Sequence, residues 1–510
     1  MTQHTKTTTS RPGLLARLGP VLALCVAAAA CDSLLDVELP GQVTEDATFV
    51  PAQARLLVNS AIADIECGLS DFTAFEAAGY EDNTTRTVGW WGSRFERAVT
   101  PNTGSTCSPQ ETSVAWFNPI HKGRWMAEQV YDRLTNDWDV SQVADREELM
   151  GTAALYAGIA YTHFGEFFCE VMADSGPPMT WDEALAEGVS WFDEAITHIQ
   201  ATSGGDYEIA TDVSTSALQM AHALKARALF AQNTAATDAQ AAAEAAMVDD
   251  GFEAYVTRDA GGERSRWNRV YSAHVGLGWV VLLGPVDWWT GTTSTMPAFL
   301  GGGAWPATIP FTGYWDLAID DTNGRAISDA GMPLTLADAN TVADTRVPAV
   351  PAGVGGIGAG GGPNDYPQWE QRKYTGLGDD FRLASWEEAR LIQALVEGGQ
   401  TAIDLVNDIR DANGLPQVTY LTGASPAEDI EIMLLEELRR DHFLEAGRWW
   451  SAKLRYDLWF PRGEGQDQWN FGYQTGVRMV YPDSEYELND NLTSGDQGSY
   501  GCTPNQNPVA

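Results

Sequence analysis

Positive charge is in short supply. The 510 residues hold 31 Lys and Arg against 70 Asp and Glu, a formal net charge of −39. Duplex nucleic acid is excluded as the main partner, because each phosphate contact calls for a Lys or Arg and no basic run supplies a local patch. Anionic membrane surfaces are disfavoured by the same repulsion. Cysteine is scarce too, with six residues, and so is histidine, with seven. No CxxC occurs and no His/Cys cluster has zinc spacing, so no metal site is assigned and the histidines read as ordinary core or surface residues. A GxSxG elbow, an HExxH helix and a P-loop are all missing. The nearest thing to a nucleotide fingerprint, Gly353-Val-Gly355-Gly-Ile-Gly358, follows Val-Pro-Ala-Val-Pro-Ala and leads into Gly-Pro. That context reads as glycine-rich loop and not as the strand the fingerprint requires.

Two things are abundant. With 44% hydrophobic residues the chain can bury a large core and is no disordered acidic tail. It also carries 19 Trp, more than such a core needs. Indole offers a flat apolar face and one N–H at little entropic cost, so a surplus of it points to a recognition surface.

Residues 1–30 read as a secretory signal: Lys6, Arg11 and Arg17 are the only charges, and an apolar run from Leu14 to Val26 ends in Ala27–Ala30. That run is too short for a membrane span and leads directly into acidic sequence. Cys31 stands where cleavage falls, which resembles a bacterial lipoprotein signal whose new N-terminal Cys is diacylglycerylated, although Ala28 replaces the usual Leu. Removal takes away three cations and no acid, so the charge moves from −39 to −42. Cys25 leaves with the signal and Cys31 becomes the anchor. Cys67, Cys107, Cys169 and Cys502 then fit two disulfides with three connectivities open; Cys67 with Cys107 is favoured because both lie in one early segment.

Beyond residue 110 the spacing predicts paired helices. Ile120, Ala127, Val130 and Leu134 form one stripe, and a second runs from Arg146 to Phe164 until Gly165 stops it. Leu185, Phe192, Ile196 and Ile199 are followed, after Gly204-Gly205, by Ala217, Ala221, Leu224 and Ala228. A third pair is Trp386–Glu397, a Gly398-Gly399 turn, then Ala402 to Ile409 ending at Asn413-Gly414 and Pro416. A last long helix is expected over about 428–450. The expected fold is mainly α, a tetratricopeptide-like scaffold of helical hairpins over about 110–250 and 381–460, interrupted by an irregular insertion over about 251–380 of loops and short strands. Residues 31–510 read as a single domain. The insertion holds Trp288, Trp289, Trp305 and Tyr314-Trp315. Loops carried on a rigid scaffold are where binding usually resides.

Five pieces of the sequence stand out together. The strongest is Glu437-Leu-Arg-Arg-Asp-His-Phe-Leu-Glu445-Ala-Gly447-Arg448-Trp449-Trp450. Phe381 to Arg390 and Ala402 to Pro416, with Asn407, Arg410 and Gly414-Leu-Pro416, form a helical pair. Asp344-Thr-Arg346, Lys373-Tyr-Thr375 and Leu34-Leu-Asp-Val after Cys31 are shorter landmarks. In this order the five resemble the SusD/RagB family of nutrient-uptake outer-membrane lipoproteins, with departures from that family's pattern at Ala446 and Ser451. Glu445 and Arg448, at i, i+3, are spaced to pair across one turn, and the motif reads as scaffold, with Trp386, Trp449 and Trp450 in the core.

The resemblance implies a fold that is SusD-like. It further implies a non-enzymatic lipoprotein on the outer face of the outer membrane, lying over a SusC-like TonB-dependent transporter and passing it glycans. A sugar ring stacks its C–H face on Trp or Tyr while its hydroxyls need polar side chains. The family's starch-binding member places such groups before the first long hairpin, where this chain has Gly79 to Trp91. Trp90 and Trp91 are therefore the candidate platforms, with Asp82, Asn83 and Arg86 as hydrogen-bonding partners. The alternative is a surface loop with one Trp buried, since neighbours in an extended segment face opposite ways. Trp288, Trp289 and Tyr314 form a second group, for which packing onto the scaffold is the competing reading. Two other functions remain open: a glycoside hydrolase with an aromatic cleft, and a peptide- or protein-binding lipoprotein. No cofactor is implied, with calcium left open as the alternative at Asp320-Asp321-Thr-Asn323-Gly324, which has acids beside a turn Gly but lacks the alternate ligands and terminal Glu of an EF-hand loop and reads first as a solvated turn.

Overall fold

Glycines seven residues apart decide how the first helices meet. A computed structural model describes residues 48–74, 84–85, 107, 116–276, 280–281, 346, 349–354, 367–415, 417–419, 421–456, 478–479, 481 and 483–492. The chain divides into two compact units, Met1–Val50 and Pro51–Ala510, and every element named below belongs to the second. Helices α1 (Ala54–Phe72) and α2 (Phe117–Asp132) form one hairpin, and α3 (Arg146–Phe167) and α4 (Trp181–Ala201) the next. A Cβ on Gly151, Gly158 or Gly165 of α3 would meet Ile199 Cγ1 at 3.0 Å, Phe192 Cε1 at 2.7 Å or Leu185 Cγ at 2.7 Å on α4. The partners step backward as the glycines step forward, the register of antiparallel helices with large side chains seated in glycine gaps. α1 and α2 use the device reciprocally, Gly68 facing Ile120 and Gly123 facing Ile65. Gly165, expected to stop α3, is instead a packing position, and the helix continues to Phe167.

α1 precedes the expected start of the scaffold. Its buried acids, Asp64, Glu66 and Asp71, interrupt the apolar stripe that would reveal it. With α1 present the hairpins shift by one helix: α2 packs on α1 as well as on α3, and α3 packs most extensively on α4. Helices α5 (Ala217–Ala231) and α6 (Ala235–Ala245) follow, then α7 (Trp386–Glu397) and α8 (Gly399–Ala412) with the bounds the spacing predicts. Gly398 and Gly399 turn the chain between them at φ 65° and 58°. Caps fix the starts: Thr180 and Glu183 form a reciprocal capping box on α4, and Ser385 Oγ accepts the Glu388 N–H on α7. The long helix expected over 428–450 is two, α9 (Ala427–Asp441) and α10 (Arg448–Arg455), parted by Leu444, Ala446 and Gly447 at φ 58°, 54° and 82°.

Four two-stranded antiparallel ribbons accompany the helices among the described residues: β1 (Thr84–Thr85) with β5 (Val280–Val281), β2 (Glu170–Val171) with β3 (Met179–Thr180), β4 (Glu253–Val256) with β8 (Phe381–Ser385), and β6 (Ala349–Val354) with β7 (Pro367–Gln371). The β4–β8 pair joins the two ends of the insertion. Residues 349–354, read from sequence as non-strand, form β6; its register shifts between Pro351 and Gly353, a bulge that accommodates the proline's missing N–H. The insertion's first half is tied down on α1, where Arg258 reaches Glu66 at 3.4 Å and Arg269 reaches Asp71 at 2.6 Å.

The core's aromatic centre gathers Phe72, Trp116, Phe167 and Trp450, with Phe72 parallel to Trp450 at 6.0 Å and Phe167 at 4.8 Å from it. Trp386, Trp449 and Trp450 are buried, as the helical spacing implies. Cys67 and Cys107 form the favoured disulfide, and Cys169 is bridged to a partner outside the described residues. Among the described residues no helix is long and apolar enough to cross a membrane.

Replacing Gly158 with Val forces branched carbons into the Phe192 ring, and the expected cost is about 1–3 kcal/mol in urea denaturation. A neutral result would contradict the close approach of α3 and α4.

Candidate functional site

Charged side chains avoid a protein interior unless each finds a partner. Here Glu388, Arg410, Glu437, Asp441, Glu445 and Arg448 are all buried, and they come from the sequence landmarks themselves. The reason is local. α9 ends at Asp441, and the left-handed turn through Leu444, Ala446 and Gly447 carries Glu445 inward instead of along a helix surface. There it accepts from Lys373 and from Arg382 at 3.0 Å, and it pairs with Arg448 at 3.3 Å, the i, i+3 contact the spacing suggests. Arg448 also reaches Glu388 at 3.2 Å, and Glu388 holds Arg227 of α5 at 2.7 Å. Arg382 adds Asp441 at 3.0 Å and Glu387 at 3.2 Å. Beside this group Glu437 binds Arg410 at 2.7 Å and Arg346 at 2.8 Å. Trp449 lies under the Arg439 guanidinium at 5.5 Å.

Acidity follows from these contacts. Burial opposes ionisation of Glu388, but Arg227 and Arg448 outweigh it and bring the carboxyl down to about 2. Glu445 is likewise pushed up by burial and pulled further down by Arg382, Lys373 and Arg448, ending below the usual carboxylate range. Glu387 goes the other way, to about 7, through burial and the neighbouring Asp441 charge. Burial alone dominates at His163, lowered to about 3 against the Phe72 and Phe167 rings.

A cavity of about 370 Å³ opens beside the Glu445 turn. Glu253, Asp379, Asp380, Asp441 and Glu445 line it together with Arg346, Arg372, Lys373 and Arg382. Its carboxylates are engaged: Asp379 accepts the N–H groups of Thr375 and Gly376 at 2.5 and 2.9 Å, and Asp380 that of Arg258 at 2.5 Å. Two tyrosines share its wall: the buried Tyr374 donates its hydroxyl to the Leu444 carbonyl at 3.1 Å, and the half-buried Tyr255 donates its own to Glu253. Among the described residues no group of three or more His, Cys, Asp or Glu is arranged to hold a metal ion.

The residues singled out for ligand contact, Asp82, Asn83, Arg86, Trp90, Trp91, Trp288, Trp289 and Tyr314, lie outside the described residues, as do Cys31, Trp305 and the turn at 320–324. Their neighbours are described: Thr84 pairs with Val281 and Thr85 with Val280. Sequence reasoning missed the cavity and Arg227. The signal for Arg227 is a single cation in the Ala-rich run Ala226-Arg227-Ala228, on the face that packs inward.

Solved structures match most of the chain. A SusD superfamily protein from Parabacteroides distasonis matches with a TM-score of 0.52 at 13% identity, covering 89% of this chain and 99% of its own. A SusD homolog from Bacteroides thetaiotaomicron gives 0.53 at 10%, covering 86% and 95%. The fold is SusD-like. A SusD-like protein from Bacteroides fragilis agrees, with a TM-score of 0.50 at 12% identity over 81% and 88%. No protein-family model matches the sequence, and no curated protein does. In this SusD-like fold the landmark residues build the ion-pair hub, so they hold helices together.

Glu388→Gln is expected to lower stability by about 3–5 kcal/mol, because Arg227 and Arg448 stay buried with a neutral partner. Its acid limb must also change. A carboxyl whose folded pKa is depressed contributes stability that is present above its ordinary value near 4.5 and is lost as pH falls toward 2. Urea midpoints measured from pH 5 to pH 2 should therefore fall less steeply in the variant; an unchanged slope would contradict the assignment.

Proposed function

We propose that this chain is a lipid-anchored protein on the outer face of the outer membrane that binds glycans and delivers them to a SusC-like TonB-dependent transporter. The observation that supports the reading is the SusD-like fold, shared with structures that match most of the chain, joined to a sequence with surplus Trp outside the helical repeats. Fold alone does not assign function, so the site must supply the rest. Two contacts support the choice of segment. Cys67 and Cys107, 40 residues apart, bridge α1 across the stretch that contains Asp82 to Trp91. In the chain-entropy account a loop of that length is stabilised by about 4 kcal/mol. The β1–β5 ladder then sets the backbone two residues before Arg86 beside strand Val280–Val281, seven residues before Trp288. Trp90, Trp91, Trp288, Trp289 and Tyr314 are the stacking groups in this reading, and Asp82, Asn83 and Arg86 the hydrogen-bonding ones. Cys31 carries the lipid.

No specific observation favours the hydrolase. Among the described residues two carboxyls are brought to about 7, Glu387 beside Arg382 and Glu166 beside Ser451, and both side chains are buried. The chain acts as a binder without a catalytic step.

Affinity electrophoresis of the soluble form lacking residues 1–31 through a panel of polysaccharides tests the reading. Retardation by at least one glycan is expected, weakened about tenfold, or 1.4 kcal/mol, by Trp90→Ala or Trp91→Ala with the melting temperature unchanged. Binding of peptides alone, or release of reducing sugar, would overturn it. Cys31→Ser should move the full-length protein from the membrane fraction to the soluble one.

A further inference from the structure

The segment from Glu437 to Ser451 has the composition of one continuous helix and is broken between Asp441 and Arg448. Leu, Arg, Glu and Ala dominate it, and Gly447 is its only strong helix breaker. Yet Leu444 and Ala446 hold left-handed φ values of 58° and 54°, which side-chain-bearing residues of these types adopt only at a cost in strain. Something outside the segment imposes the break.

The contacts identify it. Gln371 and Tyr374 close a tight turn at the end of β7, the Gln371 amide donating to the Tyr374 carbonyl at 2.9 Å and accepting the Tyr374 N–H at 2.9 Å. From this strap the Tyr374 hydroxyl donates to the Leu444 carbonyl at 3.1 Å, and Lys373 pairs with Glu445. The strained residues Leu444 and Ala446 flank Glu445, and Leu444 is itself held by the strap. Gly447 is fixed by the opposite side, where a Cβ would stand 2.9 Å from Phe167 and 3.0 Å from Phe72.

We infer that residues 442–447 are a strained joint kept in its bent form by the Lys373–Tyr374 strap, so that the seating of β7 and the docking of α10 are one coupled element. Displacing the strap releases the joint without melting the helices that precede it. This inference is independent of what the protein binds: it stands or falls on the joint alone.

Amide hydrogen exchange of the full-length protein, read on peptides covering 441–451 and on α4 as an internal control, tests it. Tyr374→Phe removes one hydroxyl and keeps the ring; exchange at 443–448 should rise about tenfold while α4 is unchanged. Ala446→Gly in the same background should bring it back toward the wild-type rate, because glycine adopts this φ without strain. Unchanged exchange at the joint, an equal rise in α4, or no recovery with glycine would overturn the coupling.

Discussion

Glu445 meets Lys373, Arg382 and Arg448 where segments far apart in sequence converge, and their mutual neutralisation is the constraint on which the assembly depends. Following the contacts outward adds Asp441 and Glu387 through Arg382, then Glu388 and Arg227 through Arg448. Four cations and four carboxyls result. None of them tolerates the interior alone, since an uncompensated buried charge costs several kcal/mol. α5, α7, α9, α10 and β8 are therefore tied to one another through these charges. The hub makes the helical scaffold and the second half of the insertion cooperative, while Arg258 and Arg269 do the same for its first half on α1.

This explains what the sequence landmarks are. Arg346, Lys373, Glu388, Arg410, Glu437, Glu445 and Arg448 look like a functional signature because they are charged residues drawn toward the interior. Each answers another. In the proposed reading specificity belongs to segments outside the hub, and an acidic surface is silent about it. The described contacts nearest to them in sequence are the Cys67–Cys107 disulfide and the pairing of Thr84–Thr85 with Val280–Val281.

Helices with clean apolar stripes were legible to the residue: α7 begins at Trp386, ends at Glu397 and turns at Gly398-Gly399 as its spacing implies. Failures came where tertiary contacts overrule local pattern. α1 hides its period behind Glu66 and Asp71, whose arginine partners lie about two hundred residues away. Gly165 reads as a terminator and acts as a gap for Leu185. The break at 442–447 opposes local propensity and is visible only once Lys373 and Tyr374 stand beside it. For the site, sequence spacing disclosed the Glu445–Arg448 pair but neither its other partners nor the cavity, because nothing local connects residue 227 to residue 448.

The central claim, that the Glu445 hub is architecture and not a binding site, is tested most directly by Glu445→Gln with stability and ligand binding measured on the same sample. Urea unfolding should show a loss of about 3–5 kcal/mol. The folded fraction should keep the wild-type affinity for whichever glycan retards the protein. Stability close to wild type with affinity lost would contradict the account.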